Sequence, residues 1–171
     1  QGSENGEFDL PWGICDDSNG YIYVADWRND RIQKFTSEGV FVAVIGQSGS
    51  DDGQFNRPAG VAVDEEGNIY VADWGNQRLQ VLDSDGNFLD AHRGAADLNP
   101  WAVEYLASQD DERAARATYQ SVYESDTDDP SEVSARMEAY LWDPCSVRLD
   151  DDGRVYVLET GRHRFQIFER V

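Results

Sequence analysis

Short runs of alternating apolar and polar residues recur along the chain and are separated by turns that contain glycine. Within residues 58–89, such runs occupy 60–63, 69–72 and 78–82, the first turn ends at Gly67, and a fourth, shorter run follows. Alternation with a period of two, interrupted by turn residues every ~8 to 12 positions, is typical of antiparallel β-strands. The pattern therefore predicts a unit of four antiparallel strands.

This unit occurs three times. The copies begin at Pro11, Pro58 and Pro144, so the first two lie 47 residues apart and the last two lie 86 residues apart. The longer spacing means that about 39 residues have been inserted between copies two and three, within residues 95–142. Repeats of roughly 40 to 50 residues with four strands each are the signature of a β-propeller blade. We therefore predict an all-β fold of the β-propeller class, with four-stranded antiparallel blades.

The inserted segment has the pattern of helices. Asn99-Pro100 and Asp129-Pro130 each combine an N-cap residue with a proline at the first helical position, where the missing N–H costs nothing. Apolar residues then recur at helical spacing. They are Ala115, Tyr119, Val122 and Tyr123 in the first part, and Val133, Met137, Tyr140 and Leu141 in the second. We expect a small α-helical insertion on one face of the propeller.

The repeat itself resembles a known family. Copies one and two share the string Ile-Tyr-Val-Ala-Asp-x-x-Asn-x-Arg, at residues 22–31 and 69–78, and a Gly-x-Phe precedes the proline of each copy. This pattern resembles the NHL repeat. Copy three keeps the strand pattern, but Ser146, Glu159 and Arg162 replace the glycine, aspartate and asparagine of the other copies. The resemblance implies a β-propeller, usually six-bladed in this family, of which three repeats would supply half.

The repeats divide the chain into four parts. Residues 1–46 form blade 1 with its leading linker, 47–94 form blade 2, 95–142 form the helical insertion, and 143–171 form blade 3 without a fourth strand. An unpaired strand edge is seldom left bare in natural β proteins. We therefore expect further blades, either from a longer parent protein or from a second copy of the chain. We favour the parent protein, because a symmetric pair would still lack two fourth strands.

An acidic and a basic residue recur five positions apart in every copy, on either side of the connection between the second and third strands. The pairs are Asp26 with Arg31, Asp73 with Arg78, and Glu159 with Arg164. The acids could instead be metal ligands or catalytic groups. A charge pair that occurs once per blade is typical of a structural device, so we interpret them as structural ion pairs.

The family resemblance implies that the connection between the second and third strands lies on the same face as the connection between blades. That face would carry tryptophan and arginine, which are enriched in interaction hot spots. The candidate residues for binding a partner or ligand are Trp12, Trp27, Arg28, Arg57, Trp74, Arg162 and His163, with Trp101 and Trp142 on or near the same surface. Alternatively, the insertion packs over Trp27 and Trp74 and covers them.

The chain is strongly acidic, with 34 acidic and 14 basic residues and a net charge of −20. Nucleic acid is disfavoured as a partner, because its sequence-independent binding depends on Lys and Arg at the phosphates. No run approaches the ~20 apolar residues that span a bilayer, so we expect a soluble protein without a membrane partner. Only Lys34 is a lysine. Such a composition is typical of a salt-adapted organism, although gene base composition gives the same bias; the compartment is not predicted.

Little in the sequence indicates a cofactor. The two histidines, His92 and His163, have no companion ligand at metal-binding spacing, and the acidic turns lack the spacing of an EF-hand loop. No nucleophile elbow, Walker loop or dinucleotide fingerprint occurs, so we assign no catalytic residue. Two cysteines are too few for a disulfide framework, and we expect Cys15 and Cys145 to be free and buried.

Two functions of different classes follow. The first is a binding scaffold, in which rigid blades present a Trp-rich face to a protein or small ligand. The alternative is a metal-dependent propeller enzyme, a lyase or lactonase-type hydrolase, as the family resemblance allows. Its Ca²⁺ or Zn²⁺ would lie in the central channel, at a site completed by blades outside this chain. RNA binding is a weaker third interpretation because of the net charge.

Overall fold

Antiparallel sheets follow one another along the chain in the order that the repeats predict. The computed structural model describes residues 1–94, 104–105, 107–117 and 127–169. The sheet of blade 1 contains β1 (Pro11–Asp16), β2 (Ile22–Asp26), β3 (Arg31–Phe35) and β4 (Phe41–Ile45), each hydrogen-bonded to the next. A short 3₁₀ turn (Trp27–Asn29) connects β2 to β3.

The other two sheets repeat this order. A short parallel pair, β5 (Gln47–Ser48) with β6 (Gln54–Phe55), folds the linker that leads into blade 2. Blade 2 contains β7 (Pro58–Val63), β8 (Ile69–Asp73), β9 (Arg78–Leu82) and β10 (Phe88–His92). Blade 3 contains β11 (Pro144–Leu149), β12 (Val155–Glu159) and β13 (Arg164–Phe168), three strands within the described residues. The predicted all-β class and the antiparallel blades are confirmed.

The first strands of the three blades lie side by side, and glycine allows their close approach. A β-carbon at Gly13 would stand 2.8 Å from the Gly60 Cα, and one at Gly60 would stand 2.8 Å from the Ser146 Cα. Real β-carbons essentially never make such contacts. The glycine of the repeat is therefore required wherever the first strand of the following blade packs against it, and Ser146 occupies the same position on the last of the three strands described.

Two apolar layers hold the blades together. The layer between blades 1 and 2 includes Tyr23, Ile32 and Ile45 from blade 1 with Val61 and Val71 from blade 2, together with further buried side chains. The layer between blades 2 and 3 includes Tyr70, Leu79 and Val81 from blade 2 with Val147, Val155 and Val157 from blade 3. Each face of blade 2 is thus buried against a neighbouring blade, which fixes the positions of the loops at the ends of its strands.

Helices are present in the insertion, but the second is shorter than predicted. Helix α1 spans Asp110–Ala117 and helix α2 spans Pro130–Arg136. The Asp129 side chain caps α2 by accepting the N–H groups of Ser131 and Glu132, as the Asp-Pro signal predicts. The prediction that the helix continues to Leu141 is wrong, because Met137 is already extended. The predicted cap at Asn99-Pro100 and the apolar residues 119–123 lie outside the described residues.

The residues after α2 leave the helix because blade 3 uses them as its linker. Arg164 Nη2 donates to the carbonyl oxygens of Glu138 (2.7 Å) and Tyr140 (3.1 Å), and the Leu141 side chain is buried between blades 2 and 3. Residues 138–142 therefore do for blade 3 what the residues before β1 and β7 do for blades 1 and 2, although the repeat pattern assigns them to the insertion. No helix in the described part of the chain is long and apolar enough to cross a membrane.

Candidate functional site

The connections between second and third strands and the linkers between blades meet on one face, which we call the loop face. Backbone hydrogen bonds join each pair: Arg28 N–H to Asp9 carbonyl (3.1 Å), Gly75 N–H to Asn56 carbonyl (2.8 Å) and Gly161 N–H to Trp142 carbonyl (3.1 Å). The same hydrogen bond occurs at equivalent positions in all three blades, so one repeated contact builds this face. It holds the linker before each blade beside the connection between the second and third strands of that blade.

At each contact between a linker and its blade, a buried carboxylate accepts hydrogen bonds from both, as blade 2 illustrates. Asp73 Oδ1 accepts the backbone N–H of Asn56 at 2.8 Å, which ties the linker to the end of β8. Its Oδ2 accepts from Asn76 Nδ2 at 2.8 Å, Arg78 Nε at 3.0 Å and Gln80 Nε2 at 3.0 Å. Burial raises the pKa of Asp73, and the hydrogen bonds from Asn56, Asn76 and Arg78 act in the opposite direction. Both oxygens of this carboxylate are therefore held by protein donors.

The basic residue of each ion pair also binds the linker. Arg78 Nη2 donates to the linker carbonyls of Asp51 (2.8 Å) and Gln54 (3.0 Å), so the guanidinium joins the carboxylate to the linker backbone. Blade 1 repeats the arrangement, with Arg31 Nε at 2.9 Å from Asp26 Oδ2, and blade 3 pairs Arg164 with Glu159. The three ion pairs that the sequence predicts are all present in the structure. Their geometry is that of a clamp between a blade and its linker.

Paired residues with left-handed backbones mark the boundaries between blades on this face. Asp30 (φ 52°) follows the 3₁₀ turn, and its Oδ1 accepts the backbone N–H of Arg57 (φ 55°) at 2.7 Å. At the next boundary, Gln77 Oε1 accepts the backbone N–H of Asp143 at 2.6 Å, with φ of 55° and 56° at these residues. These contacts could not be predicted from the sequence, because the residue types differ between copies. The only available signal is the shared position in the repeat.

Three of the predicted tryptophans and one predicted arginine form a cluster on the loop face, which we call the Trp–Arg cluster. The ring centroids of Trp12 and Trp27 are 5.5 Å apart, and those of Trp27 and Trp74 are 5.9 Å apart. The Arg57 guanidinium carbon lies 4.9 Å from the Trp27 centroid and 5.9 Å from that of Trp74. The hydrogen bond that the Arg57 backbone N–H donates to Asp30 Oδ1 positions this cation–π contact.

A groove of about 320 Å³ opens beside the cluster and is lined by Leu10, Pro11, Trp12 and Trp27. Trp12 is 58% exposed and Leu10 is also exposed, so large apolar surfaces face solvent here. The indole N–H of Trp27 is buried and has no hydrogen-bond partner among the residues that the structure describes. Flat aromatic walls beside a held guanidinium are suited to binding apolar side chains and the planar groups of a peptide.

The remaining predicted binding residues within the described part of the chain are not among the contacts that form this cluster. Arg28 approaches Asp9 at 3.9 Å, and His163 is exposed in the turn after β12. The Arg162 guanidinium lies over Trp142 with 5.6 Å to the ring centroid, and its Nη2 donates to Ser134 O (2.6 Å) and Met137 O (2.9 Å). Arg162 thus fastens the end of α2 to blade 3. Trp101 lies outside the described residues.

We expect Arg162→Ala to loosen α2 without disturbing the blades. The last carbonyls of a helix have no partners within the helix, and Arg162 supplies donors to them. The free energy of unfolding should fall by about 1 kcal/mol. Hydrogen exchange should become faster at residues 130–137 and stay unchanged in β7–β9. An equal effect on blade 2 would contradict a role confined to the helix.

The remaining titratable groups include the two cysteines and the acidic residues. Burial raises the pKa of the Cys15 thiol to about 12, assisted by Asp16 and Asp17, and burial also raises that of Cys145. Both thiols are free, as predicted, but they are half-buried rather than fully buried. Across the described ranges, no group of three or more His, Cys, Asp or Glu side chains is placed to hold a metal ion.

A family model described as "NHL repeat" matches the chain in three places, at residues 8–35, 55–82 and 141–168. Among curated proteins, Protein lin-41 from Caenorhabditis elegans is 46% identical over 43 residues, which is 25% of this chain and 4% of that protein. The E3 ubiquitin-protein ligase TRIM71 from Xenopus tropicalis is 46% identical over 41 residues, or 24% of this chain and 5% of that protein.

A solved structure from Bacteroides thetaiotaomicron VPI-5482, a protein of unknown function, superposes with a TM-score of 0.59 at 18% sequence identity. The match covers 92% of this chain and 34% of the other. The chain therefore spans about a third of that structure and a small fraction of the curated relatives. At this identity the likeness concerns the fold alone.

Proposed function

The chain belongs to the NHL-repeat family of β-propellers, and from this we propose that it is a binding scaffold whose loop face holds a segment of a partner protein. In this proposal the blades are a rigid support. The Trp–Arg cluster and the adjoining groove are the contact surface. The small-ligand form of the same hypothesis would use the same residues.

The observation that carries the proposal is the exposure of Trp12 at the mouth of the groove. A tryptophan that is 58% exposed while its ring packs edge-on against Trp27 presents a large area in a fixed orientation. Tryptophan loses little conformational entropy on binding, and it is enriched among the few residues that supply most interface energy. Binding would bury Trp12 and the exposed side chain of Leu10 together.

The charge of the chain indicates the chemistry of the partner. A net charge of −20 creates a negative potential that speeds encounter with positive partners and repels acidic ones. The exposed aromatic face of Trp12 can also accept a Lys or Arg side chain by a cation–π contact. We therefore propose that the partner segment combines an apolar side chain with one or more basic residues.

A random-peptide display library, selected on the purified chain, tests the proposal directly. Selected peptides should be enriched in apolar residues next to Lys or Arg, and their binding should quench or shift the tryptophan fluorescence. Trp12→Ala should weaken a selected peptide about tenfold, because it removes the exposed wall of the groove. Leu89→Ala, which removes an apolar side chain exposed on β10, is the matched control and should leave the affinity unchanged.

Peptides that bind Trp12→Ala and the wild-type chain equally well would contradict this assignment of the surface. A library that enriches acidic peptides would overturn the proposed partner chemistry. Metal analysis of the same preparation separates the other class of function. A tightly held, stoichiometric Ca²⁺ or Zn²⁺ would favour the metal-dependent enzyme over the scaffold.

A further inference from the structure

Arg57 occupies the boundary between blades 1 and 2 on the loop face, and contacts with both blades fix its position. Its backbone N–H donates to Asp30 Oδ1 at 2.7 Å. Its guanidinium carbon lies 4.9 Å from the ring centroid of Trp27 in blade 1 and 5.9 Å from that of Trp74 in blade 2. The residue is nevertheless exposed. A charged group is therefore held at the surface between two indole rings.

The fold does not require arginine at this position. Only the backbone of Arg57 takes part in the hydrogen bond to blade 1. At the next boundary, Asp143 holds the equivalent position, and its backbone N–H makes the same kind of bond to blade 2. The two tryptophans are not required in every blade either, because Thr160 holds their position in blade 3. The arginine and the two indole rings thus form a site at one of these two boundaries and not at the other.

The Arg57 guanidinium has no carboxylate partner among the residues that the structure describes, although the chain has 34 acidic and 14 basic residues. Asp30, which binds the Arg57 backbone, uses Oδ1 for that bond, and its Oδ2 accepts from Ser48 Oγ at 2.7 Å. Other arginines, such as Arg31 and Arg78, pair with carboxylates of their own blade. The side chain of Arg57 therefore presents hydrogen-bond donors that the described part of the chain does not use.

We propose that Arg57 binds a carboxylate of the partner segment, and that this carboxylate is the C-terminus of the partner chain. In this proposal, which rests on the proposed function, the Trp–Arg cluster recognises the end of a chain. A guanidinium is planar and presents paired N–H donors that match the two oxygens of a carboxylate. The indole rings hold the guanidinium before the partner arrives, so little freedom is lost on binding.

The charge of the chain favours a carboxylate over a phosphoryl group. Guanidinium groups also bind phosphates through paired hydrogen bonds. A phosphorylated side chain carries nearly two negative charges, however, whereas a carboxylate carries one. A chain with a net charge of −20 repels both, and it repels the phosphoryl group more strongly. The single charge of a carboxylate therefore satisfies the guanidinium at the lower electrostatic cost.

A chain terminus supplies both of the groups that suit this surface. The Trp–Arg cluster combines a guanidinium with the aromatic rings of Trp27 and the exposed Trp12. A C-terminal apolar residue carries its carboxylate and its side chain on one Cα, so both can bind neighbouring parts of the cluster. An internal aspartate or glutamate has its carboxylate in place of an apolar side chain. Capture of a terminal carboxylate is a recurring mode of peptide recognition.

Paired peptide arrays test the proposal with the full chain. Short peptides of basic and apolar residues are anchored by their N-termini and synthesised twice, once with a free C-terminal carboxylate and once with a C-terminal amide. The best sequence should bind about tenfold more tightly as the acid than as the amide, because the amide lacks the charge and one oxygen. Tryptophan fluorescence in solution measures both affinities. Arrays in which no sequence prefers the acid form would overturn the proposal.

Substitutions at Arg57 test where the carboxylate binds. Arg57→Gln keeps the backbone N–H and should bind the acid and amide forms with equal affinity. Arg57→Lys keeps the charge without the paired donors and should retain about a threefold preference for the acid. Arg148→Gln removes an exposed arginine on β11 and is the matched control for net charge, so the full preference should persist. A preference for the acid that survives Arg57→Gln would overturn the assignment to this residue.

The same peptides distinguish failure of the carboxylate site from failure of the proposed function. Trp12→Ala should weaken the acid and amide forms alike, because both make the apolar contact. If the wild-type chain binds both forms equally and Trp12→Ala weakens both, the peptide-binding surface is supported and the carboxylate site is refuted. An amidated peptide with an internal glutamate or phosphoserine that binds more tightly than the acid form would overturn the choice of a chain terminus.

Discussion

Asp73→Ala should lower the free energy of unfolding by about 4 kcal/mol, because it removes one partner from a buried, hydrogen-bonded ion pair. The substitution leaves Arg78 without its carboxylate, and it also removes the acceptor for the backbone N–H of Asn56 and the side-chain amide of Gln80. Denaturant unfolding followed by tryptophan fluorescence measures the loss. The melting temperature should fall by roughly 10 °C for a domain of this size.

Two further variants separate this clamp from a general effect of charge. Asp73→Asn keeps one oxygen for the Asn56 N–H but places an amide among donors, and it should cost about 2 kcal/mol. Asp152→Ala breaks an exposed pair with Arg154 and should cost no more than about 0.5 kcal/mol. Lost peptide binding with an unchanged melting temperature would refute the structural role of Asp73 and favour a role at the binding site.

The sequence predicts the blades well because their signals are local. Alternation along a strand, a turn after each strand and the recurrence of Asp73 with Arg78 at five-residue spacing all lie within one repeat. The same spacing predicts the matching pair in blade 3, where Glu159 replaces the aspartate and still meets Arg164. Because the connection is short and the spacing is fixed, the two charged side chains of a pair lie close to each other in the folded blade.

Features that depend on contacts between repeats are less visible in the sequence. Helical spacing extends to Leu141, but the chain leaves α2 at Arg136 because Arg164 binds the backbone beyond it. Likewise, the sequence indicates only that Gln77 is a turn residue, and the structure shows that it accepts a hydrogen bond from the Asp143 backbone. The Trp–Arg cluster could be predicted from the sequence only in part. Its tryptophans could be placed on one face from the repeat, whereas the position of Arg57 depends on Asp30 of the preceding blade.

The structure explains why copy three can depart from the repeat at Ser146, which the sequence does not. From the sequence alone it is a substitution of the repeat's glycine in the third copy. The structure places Gly13 and Gly60 each against the backbone of the next first strand, so a side chain is excluded there. At the corresponding position of blade 3 the strand is the last of the three described, and a side chain is present.

Gly60→Ser, which gives copy two the residue of copy three, should therefore be strongly destabilising, by about 3 kcal/mol. Its β-carbon would lie 2.8 Å from the Ser146 Cα and 2.9 Å from the Val147 nitrogen, both backbone atoms that cannot rotate away as a side chain can. Relief requires β7 and β11 to move apart, which opens the apolar layer between blades 2 and 3. Ser146→Ala keeps a β-carbon at the equivalent position of blade 3 and should change the free energy of unfolding by no more than about 0.5 kcal/mol. Denaturant unfolding of the two variants, measured side by side, tests this expectation. Equal stabilities would mean that the first strands do not need the glycine for close packing. The spacing between blades would then be set by the apolar layers alone.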